Sequence, residues 1–242
     1  MKYLILAAGL QLACGKHPAG VADPSPVTPV SHTVPASLNP RDVDTPYRTI
    51  EFSGYTWIVR TSHGEPEPPE SNLWSNSEGS VWVDGAGLHL TIRKIAGEWY
   101  SSEVELAQPL GYGTYTWVLA GGNPDFRHSV FAMYAFDDKT RGEIDIELSQ
   151  WGWPAGQPNI QYMVQPLKVL TTTQNVNGPA THSFNWSPDR VLFEGKSVYH
   201  GAPVPSGQDS ARMELWTCAP CPGYNEHTAG EFVVSSFSFT RN

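Results

Sequence analysis

The chain predicts an all-β fold, a sandwich or barrel of short strands, and three observations carry that expectation. Runs such as Ser80-Val81-Trp82-Val83-Asp84, Thr114-Tyr115-Thr116-Trp117-Val118-Leu119 and Val191-Leu192-Phe193 are rich in β-branched and aromatic residues. Long amphipathic helical patterns are not evident. Glycine and proline make 43 of 242 residues, or 18%, above the roughly 12% of average usage, so turn signals recur between the runs. Charged residues, at 16%, fall below the usual ~25%, a balance typical of extracellular β proteins. The length suits one large domain with an ample core.

From the N-terminus, Lys2, an apolar stretch from Tyr3 to Leu12 and Ala13-Cys14-Gly15 are too short to span a membrane and are flanked as an export signal would be. The segment resembles a bacterial lipoprotein signal with Cys14 as the lipidated residue. Residues 1–14 are therefore expected to be a signal peptide, and the protein to be secreted or held at the cell envelope. Pro18, Pro24, Pro26, Pro29, Pro35 and Pro40 punctuate a stretch low in large apolar residues, so 15–46 is expected to be an extended, disordered tether. A single β-sandwich domain then occupies 47–242.

The segment Gly142-Glu143-Ile144-Asp145-Ile146-Glu147-Leu148 alternates acid with aliphatic. Strand side chains have period two, so Glu143, Asp145 and Glu147 share one face while Ile144, Ile146 and Leu148 fill the other. An acid row with no intervening base repels itself. A solvated acidic face is one explanation. Calcium is another, although its loops usually interleave Gly, Asn or backbone ligands, which residues 143–147 lack. The third is glycoside hydrolysis, which needs one ionised and one protonated carboxyl at the same pH. Cα atoms four residues apart on a strand are separated by roughly 13 Å, and two glutamates leaning inward on a twisted sheet close to about 5 to 6 Å, the spacing of the retaining mechanism.

Glu-Ile-Asp-Ile-Glu resembles the active-site strand of glycoside hydrolase family 16, the jelly-roll group that includes lichenases, laminarinases, agarases, carrageenases and xyloglucan transglycosylases. Flanking segments match in order. Asn72-Leu73-Trp74-Ser75, Val81-Trp82-Val83-Asp84 and Gly87-Leu88-His89-Leu90-Thr91-Ile92 are similar to the family's early strands. Ser102-Glu103-Val104-Glu105-Leu106, followed by Gly111-Tyr112-Gly113, resembles the strand that delivers a substrate-contacting Glu. His182-Ser183-Phe184-Asn185-Trp186-Ser187-Pro188-Asp189 is similar to its His-x-x-x-Trp-x-Pro-Asp segment, and Met213-Glu214-Leu215-Trp216 to the strand whose Trp lines the cleft. Phe232 to Phe239 matches a closing core strand, and Tyr47 to Arg60 adds an edge strand.

The resemblance implies a concanavalin A-like jelly-roll β-sandwich of two curved antiparallel sheets, with the cleft on the concave face. It makes Glu143 the nucleophile, Glu147 the general acid and base, and Asp145 the assisting carboxylate of a retaining endo-glycosidase. Glu103, Tyr134, Trp151, Trp153, Gln165 and Trp216 are expected to contact substrate, the tryptophans by stacking on sugar rings. Trp57, Trp82, Trp117 and Trp186 are expected to pack in the core, and His182 to brace a strand junction.

Several positions depart from the family pattern. Glu214 stands where relatives often carry Asn, Glu105 where some carry Arg, and Leu192-Phe193-Glu194-Gly195-Lys196 replaces a Tyr-Val-Asp-Gly strand. Both of the first two changes are expected to add negative charge near the cleft. Members acting on β-1,3-glucans, agars and carrageenans commonly insert a residue before the last Glu; this strand has none, which leans toward mixed-linkage or β-1,4-linked glucan.

Net charge is −9 with no basic run, so nucleic acid and anionic lipid are poor partners and a neutral polysaccharide is the easier one. Membrane contact is expected only through a lipid at Cys14, and the protein to be a monomer. Cys218-Ala219-Pro220-Cys221 lacks a second Cys pair or His-x-His partner, so after export a local Cys218–Cys221 disulfide is expected at one rim of the cleft. No cofactor is required, and a structural calcium ion is compatible with the fold. Two other readings stay open: a lectin-like carbohydrate-binding module, and a transglycosylase on the same fold.

Overall fold

The computed structural model describes residues 39–154, 159–165, 168–171, 178–194, 197–200 and 204–242. Cys14 and the expected signal peptide lie outside these residues. The described part is all-β, with sixteen strands, twelve of them joined along one continuous hydrogen-bonded path that folds into two layers and four paired to its flanks.

The first layer runs in the order β11 (Lys168–Thr171), β10 (Ile160–Gln165), β9 (Glu143–Leu148), β8 (Ser129–Phe136), β15 (Ser210–Thr217) and β6 (Glu98–Leu106). The hairpin of β1 (Arg48–Phe52) and β2 (Tyr55–Val59) extends it by pairing β2 with β6, and the short β3 (Leu73–Trp74) runs parallel to β6. The second layer is built from β4 (Val81–Asp84), β5 (Gly87–Ile95), β16 (Gly230–Arg241), β7 (Gly113–Gly122), β12 (Ala180–Ser187), β13 (Arg190–Phe193) and β14 (Ser197–His200). The β5–β6 hairpin links the layers. Strands distant in sequence sit side by side, as a jelly roll requires.

Alternation decides which side chains fill the interior. Ile144, Ile146 and Leu148 of β9, with Phe131 and Met133 of β8 and Met213 and Leu215 of β15, face Trp117, Phe184, Trp186 and Phe232 of the second layer. Phe131 stacks on Phe232 at 4.1 Å, and Tyr162 of β10 on Phe193 of β13 at 4.9 Å, so aromatic pairs bridge the layers. Trp57, Trp117 and Trp186 are fully buried, as expected. Trp82 is not: it lies half-buried on the outer side of the second layer, stacked on His89 at 4.5 Å. His182 braces β12, its Nδ1 3.0 Å from Glu194, whose carboxylate also accepts from the Ser183 amide.

The β1–β2 hairpin turns through Ser53 and Gly54, both with positive φ, the backbone that a tight two-residue hairpin requires. The N-terminal boundary differs from the sequence expectation. Residues 39–46, assigned there to the tether, are fastened to the sandwich. Asp42 pairs with Arg93 at 2.7 Å, Ser75 and Thr61 both donate to Asp44, and the Thr45 backbone exchanges two hydrogen bonds with the Asn76 amide. Residues between two prolines can dock when each polar group finds a partner on the domain, which composition alone does not reveal.

The exit of β9 is tied to the loop after β15. Trp151 and Gly152 both take left-handed backbone, and a Cβ on Gly152 would stand 2.4 Å from the Pro222 carbonyl oxygen. Gly152→Ala is therefore expected to destabilise the chain by about 1–3 kcal/mol in urea unfolding. An unchanged midpoint would contradict this close approach.

Candidate active site

β9 pairs without interruption with β8 on one side and β10 on the other. Glu143 lies opposite Phe136 and Gln165, Asp145 opposite Tyr134 and Met163, and Glu147 opposite Ala132 and Gln161. With the three aliphatic residues committed to the core, the three acids stand together on the outer face of the first layer.

Register extends this face across the layer. In one row, Glu147 is followed by Ala132, Glu214 and Glu103, whose carbonyl accepts from the Arg60 amide. In the next, Asp145 is followed by Tyr134, Arg212 and Glu105. Solvent reaches little of it: Asp145 is 3% exposed, Glu147 9%, Glu214 6% and Glu103 1%.

Burial raises the pKa of all three acids of β9, but unequally. Glu143 is raised by burial, partly offset by a hydrogen bond from Asp145 and by the charges of Arg141 and Arg212. Asp145 is held well above the usual carboxylate range by burial and then by Glu143 and Glu147. Glu147 is pushed up to about 8, first by burial and then by Glu143. One oxygen each of Asp145 and Glu147 is buried with no hydrogen-bond partner, the environment of a neutral acid rather than an anion. Burial thus favours the neutral form of Asp145 and Glu147, whereas a hydrogen bond from Asp145 and the charges of two arginines favour the anion at Glu143. Two glutamates with unequal surroundings share one strand face.

The other predicted contact residues are distributed unequally. Gln165 pairs with Glu143 across β10, and the Tyr134 hydroxyl donates to Glu214 at 3.0 Å. Glu103 is bound by Arg60 at 2.5 Å and by Arg212 at 3.4 Å. Trp216, one step beyond Glu214 on the same face, closes one end of the row in a small apolar cluster with Trp74, Val130, Cys218 and Cys221. Trp151 packs on it with ring centroids 6.1 Å apart, and Cys218 and Cys221 are joined by a disulfide. The indole N–H groups of Trp151 and Trp216 have no partner. Trp153 stands apart, 60% exposed.

Sequence reasoning missed the two arginines. Glu105 does not simply add charge: Arg212 stands directly opposite it and reaches Glu105 at 3.2 Å and Asp138 at 2.8 Å. A cation on the neighbouring strand replaces one expected on β6 itself. Ser210, Arg212, Glu214 and Trp216 share a face by period two, a signal present in the sequence. Arg60, Arg212, Glu103, Glu105 and Asp138, with the exposed Tyr47, line a cavity of about 360 Å³ beside the acids. Asp209 was also missed: it is fully buried with both oxygens unpartnered, and burial, then Asp137 and Glu143, push it up to about 7. Among the described residues, no group of three or more His, Cys, Asp and Glu side chains is arranged to hold a metal ion.

The jelly roll of this chain is the fold of solved β-glucanases of glycoside hydrolase family 16. It superposes on the Bacillus licheniformis β-glucanase with a TM-score of 0.58 at 17% identity, covering 84% of this chain and 96% of that one. A glycoside hydrolase family 16 protein of the Bacteroides ovatus mixed-linkage glucan PUL, in complex with a G4G4G3G product, superposes at 0.60 and 15% identity, covering 76% and 94%. An immunostimulatory antigen and pseudo β-1,3-glucanase of Mycobacterium tuberculosis superposes at 0.59 and 17%, covering 77% and 91%. No family model and no curated protein sequence matches the chain.

The protonation of Glu147 has a consequence for stability. The folded chain holds this proton up to about pH 8, whereas an unfolded Glu releases it near its ordinary value of about 4.3. Stability is complete below the unfolded value and is lost as pH rises toward the folded one, by at most about 1.4 kcal/mol per pH unit. Glu147→Gln, neutral throughout, is expected to flatten the fall in melting temperature between about pH 5 and pH 8. Identical slopes for wild type and variant would contradict a protonated Glu147.

Proposed function

We propose that the protein is a retaining endo-glycoside hydrolase acting on a β-linked glucan, of mixed 1,3-1,4 or 1,4 linkage. The observation that carries this reading is the buried row of Glu143, Asp145 and Glu147 on one face of β9, in which burial favours the neutral acid at Glu147 while Asp145 and two arginines favour the anion at Glu143. In the first step Glu143 attacks the anomeric carbon, while Glu147 gives its proton to the departing glycosidic oxygen and a glycosyl ester forms on Glu143. In the second, Glu147 takes a proton from water, whose oxygen displaces Glu143 at the same carbon, so configuration is retained. Asp145 holds the Glu143 charge in place by donating to it.

The polymer class rests on lesser observations. The unbroken register of β9 carries no inserted residue before Glu147, which supports mixed-linkage or β-1,4 glucan. The half-buried Trp151, packed on Trp216 at one end of the row, suits the apolar face of a sugar ring. A sugar acceptor in place of water would give transglycosylation by the same two steps. Glycan binding without turnover is a second reading, favoured by the pseudo-glucanase of like fold. We infer further that the chain is exported as a monomer and anchored by a lipid at Cys14.

Reducing-end release from lichenan, laminarin, xyloglucan, agarose and carrageenan tests the reading. Activity is expected on lichenan, with kcat lowered by several orders of magnitude in Glu143→Gln and Glu147→Gln and binding retained in the former. The rate should fall at low pH as Glu143 is protonated and at high pH as Glu147 loses its proton, near about 8 in the free enzyme. Glycan binding without release of reducing ends from any of these polymers would instead establish the lectin-like reading.

A further inference from the structure

Glu214 and Glu103 are directly opposed on β15 and β6, and both are buried. Like charges in that arrangement repel strongly. The two arginines do not divide themselves between the acids: Arg60 Nη1 and Arg212 Nη1 bind the two oxygens of Glu103. Glu214 instead accepts from the Tyr134 hydroxyl and is hydrogen-bonded to Glu103 itself. A carboxylate offers only acceptors, so two carboxyl groups hydrogen-bonded to each other require a proton between them. Glu103 has the cations, so the proton belongs to Glu214.

We propose that Glu214 is a neutral carboxylic acid which donates its proton to Glu103 and, by accepting from Tyr134, acts as the positioning residue that aims the Tyr134 hydroxyl at a sugar hydroxyl beside Asp145. The sugar contact rests on the glycosidase reading above, whereas the shared proton does not. The geometry gives Tyr134 a fixed role: its hydroxyl proton points to Glu214, leaving its lone pairs to accept from substrate. The groups facing Glu214 are Glu103 and Glu105 on β6, Arg60 beyond β2, Tyr134 on β8, Asp145 and Glu147 on β9, and Arg212 on its own strand. Burial, then the charge of Glu103, disfavours its ionisation, and only Arg60 and the Tyr134 hydrogen bond oppose this. The Asn-to-Glu departure at this position therefore adds a neutral group, not a charge, and the floor remains suited to an uncharged sugar ring. As pH rises and Glu214 ionises, repulsion from Glu103 displaces its carboxylate, and the Tyr134 hydroxyl, held more tightly by the anion, moves with it out of its aimed position.

Two measurements test this. The infrared difference between wild type and Glu214→Gln at pH 7, with no ligand, is expected to contain the carbonyl stretch of a protonated carboxyl; a difference showing only carboxylate bands would overturn the shared proton, whether or not the protein hydrolyses any glycan. With lichenan, Glu214→Leu is expected to raise KM about tenfold or more with a smaller change in kcat. Glu214→Gln, which can still donate to Glu103 and accept from Tyr134, should rescue it. Wild-type KM should climb at alkaline pH while that of Glu214→Gln stays level. An equal climb in both proteins would overturn the positioning role, and the isosteric Gln variant keeps the test decisive should Glu214→Leu fail to fold.

Discussion

The unbroken pairing of β9 between β8 and β10 is the constraint on which everything else depends. A slip of one residue would place Glu143, Asp145 and Glu147 in the core and Ile144, Ile146 and Leu148 on the outer face. The aliphatic residues prevent that slip, since all three are fully buried against the second layer. Hydrophobic packing on one side of the strand thus enforces electrostatic crowding on the other. Five acids within one buried face cannot all be ionised: burial disfavours the charge on Asp145, Glu147 and Glu214, while Glu143 has the Asp145 hydrogen bond and two arginine charges beside it and Glu103 is bound by Arg60 and Arg212.

That division ties fold to chemistry. Asp145 and Glu214 have parallel surroundings, each a buried acid whose neutral form is favoured and which is hydrogen-bonded to a neighbouring carboxyl, one on β9 and one two strands away on β15. Arg212 joins the two halves, because it faces Glu103, Glu105 and Asp138 and its charge also reaches Glu143. The apolar plug of Trp74, Trp216 and the disulfide closes one end of the row, and Gly152 lets the exit of β9 approach the loop that carries the plug. The end of the acid row and the exit of β9 are therefore held by the same few backbone contacts.

Much of this was legible in the sequence because it obeys local periodicity. The alternation of acid and aliphatic in β9 specified its two faces, and the aromatic run from Phe232 to Phe239 marked what is now β16, held between β5 and β7. The features that escaped depend on which strand neighbours which. Glu105 and Glu214 look like added charges until β15 is placed between β6 and β8, when Arg212 falls opposite the first and Tyr134 beside the second. Residues 39–46 look like tether until Asp42 and Asp44 meet Arg93, Ser75 and Thr61. Trp82 lies on an edge strand whose outer side faces His89 rather than the core.

The central claim is that Glu143 is the anion that bonds to sugar. Incubation with a 2-deoxy-2-fluoro β-glucan oligosaccharide bearing a dinitrophenyl leaving group, followed by intact-mass and peptide mass spectrometry, tests it most directly, because the fluorine slows breakdown of a glycosyl ester. A single adduct on the peptide containing Glu143, lost in Glu143→Gln, is the predicted result. An adduct on another residue, or none when the compound binds and its dinitrophenol is released, would contradict it.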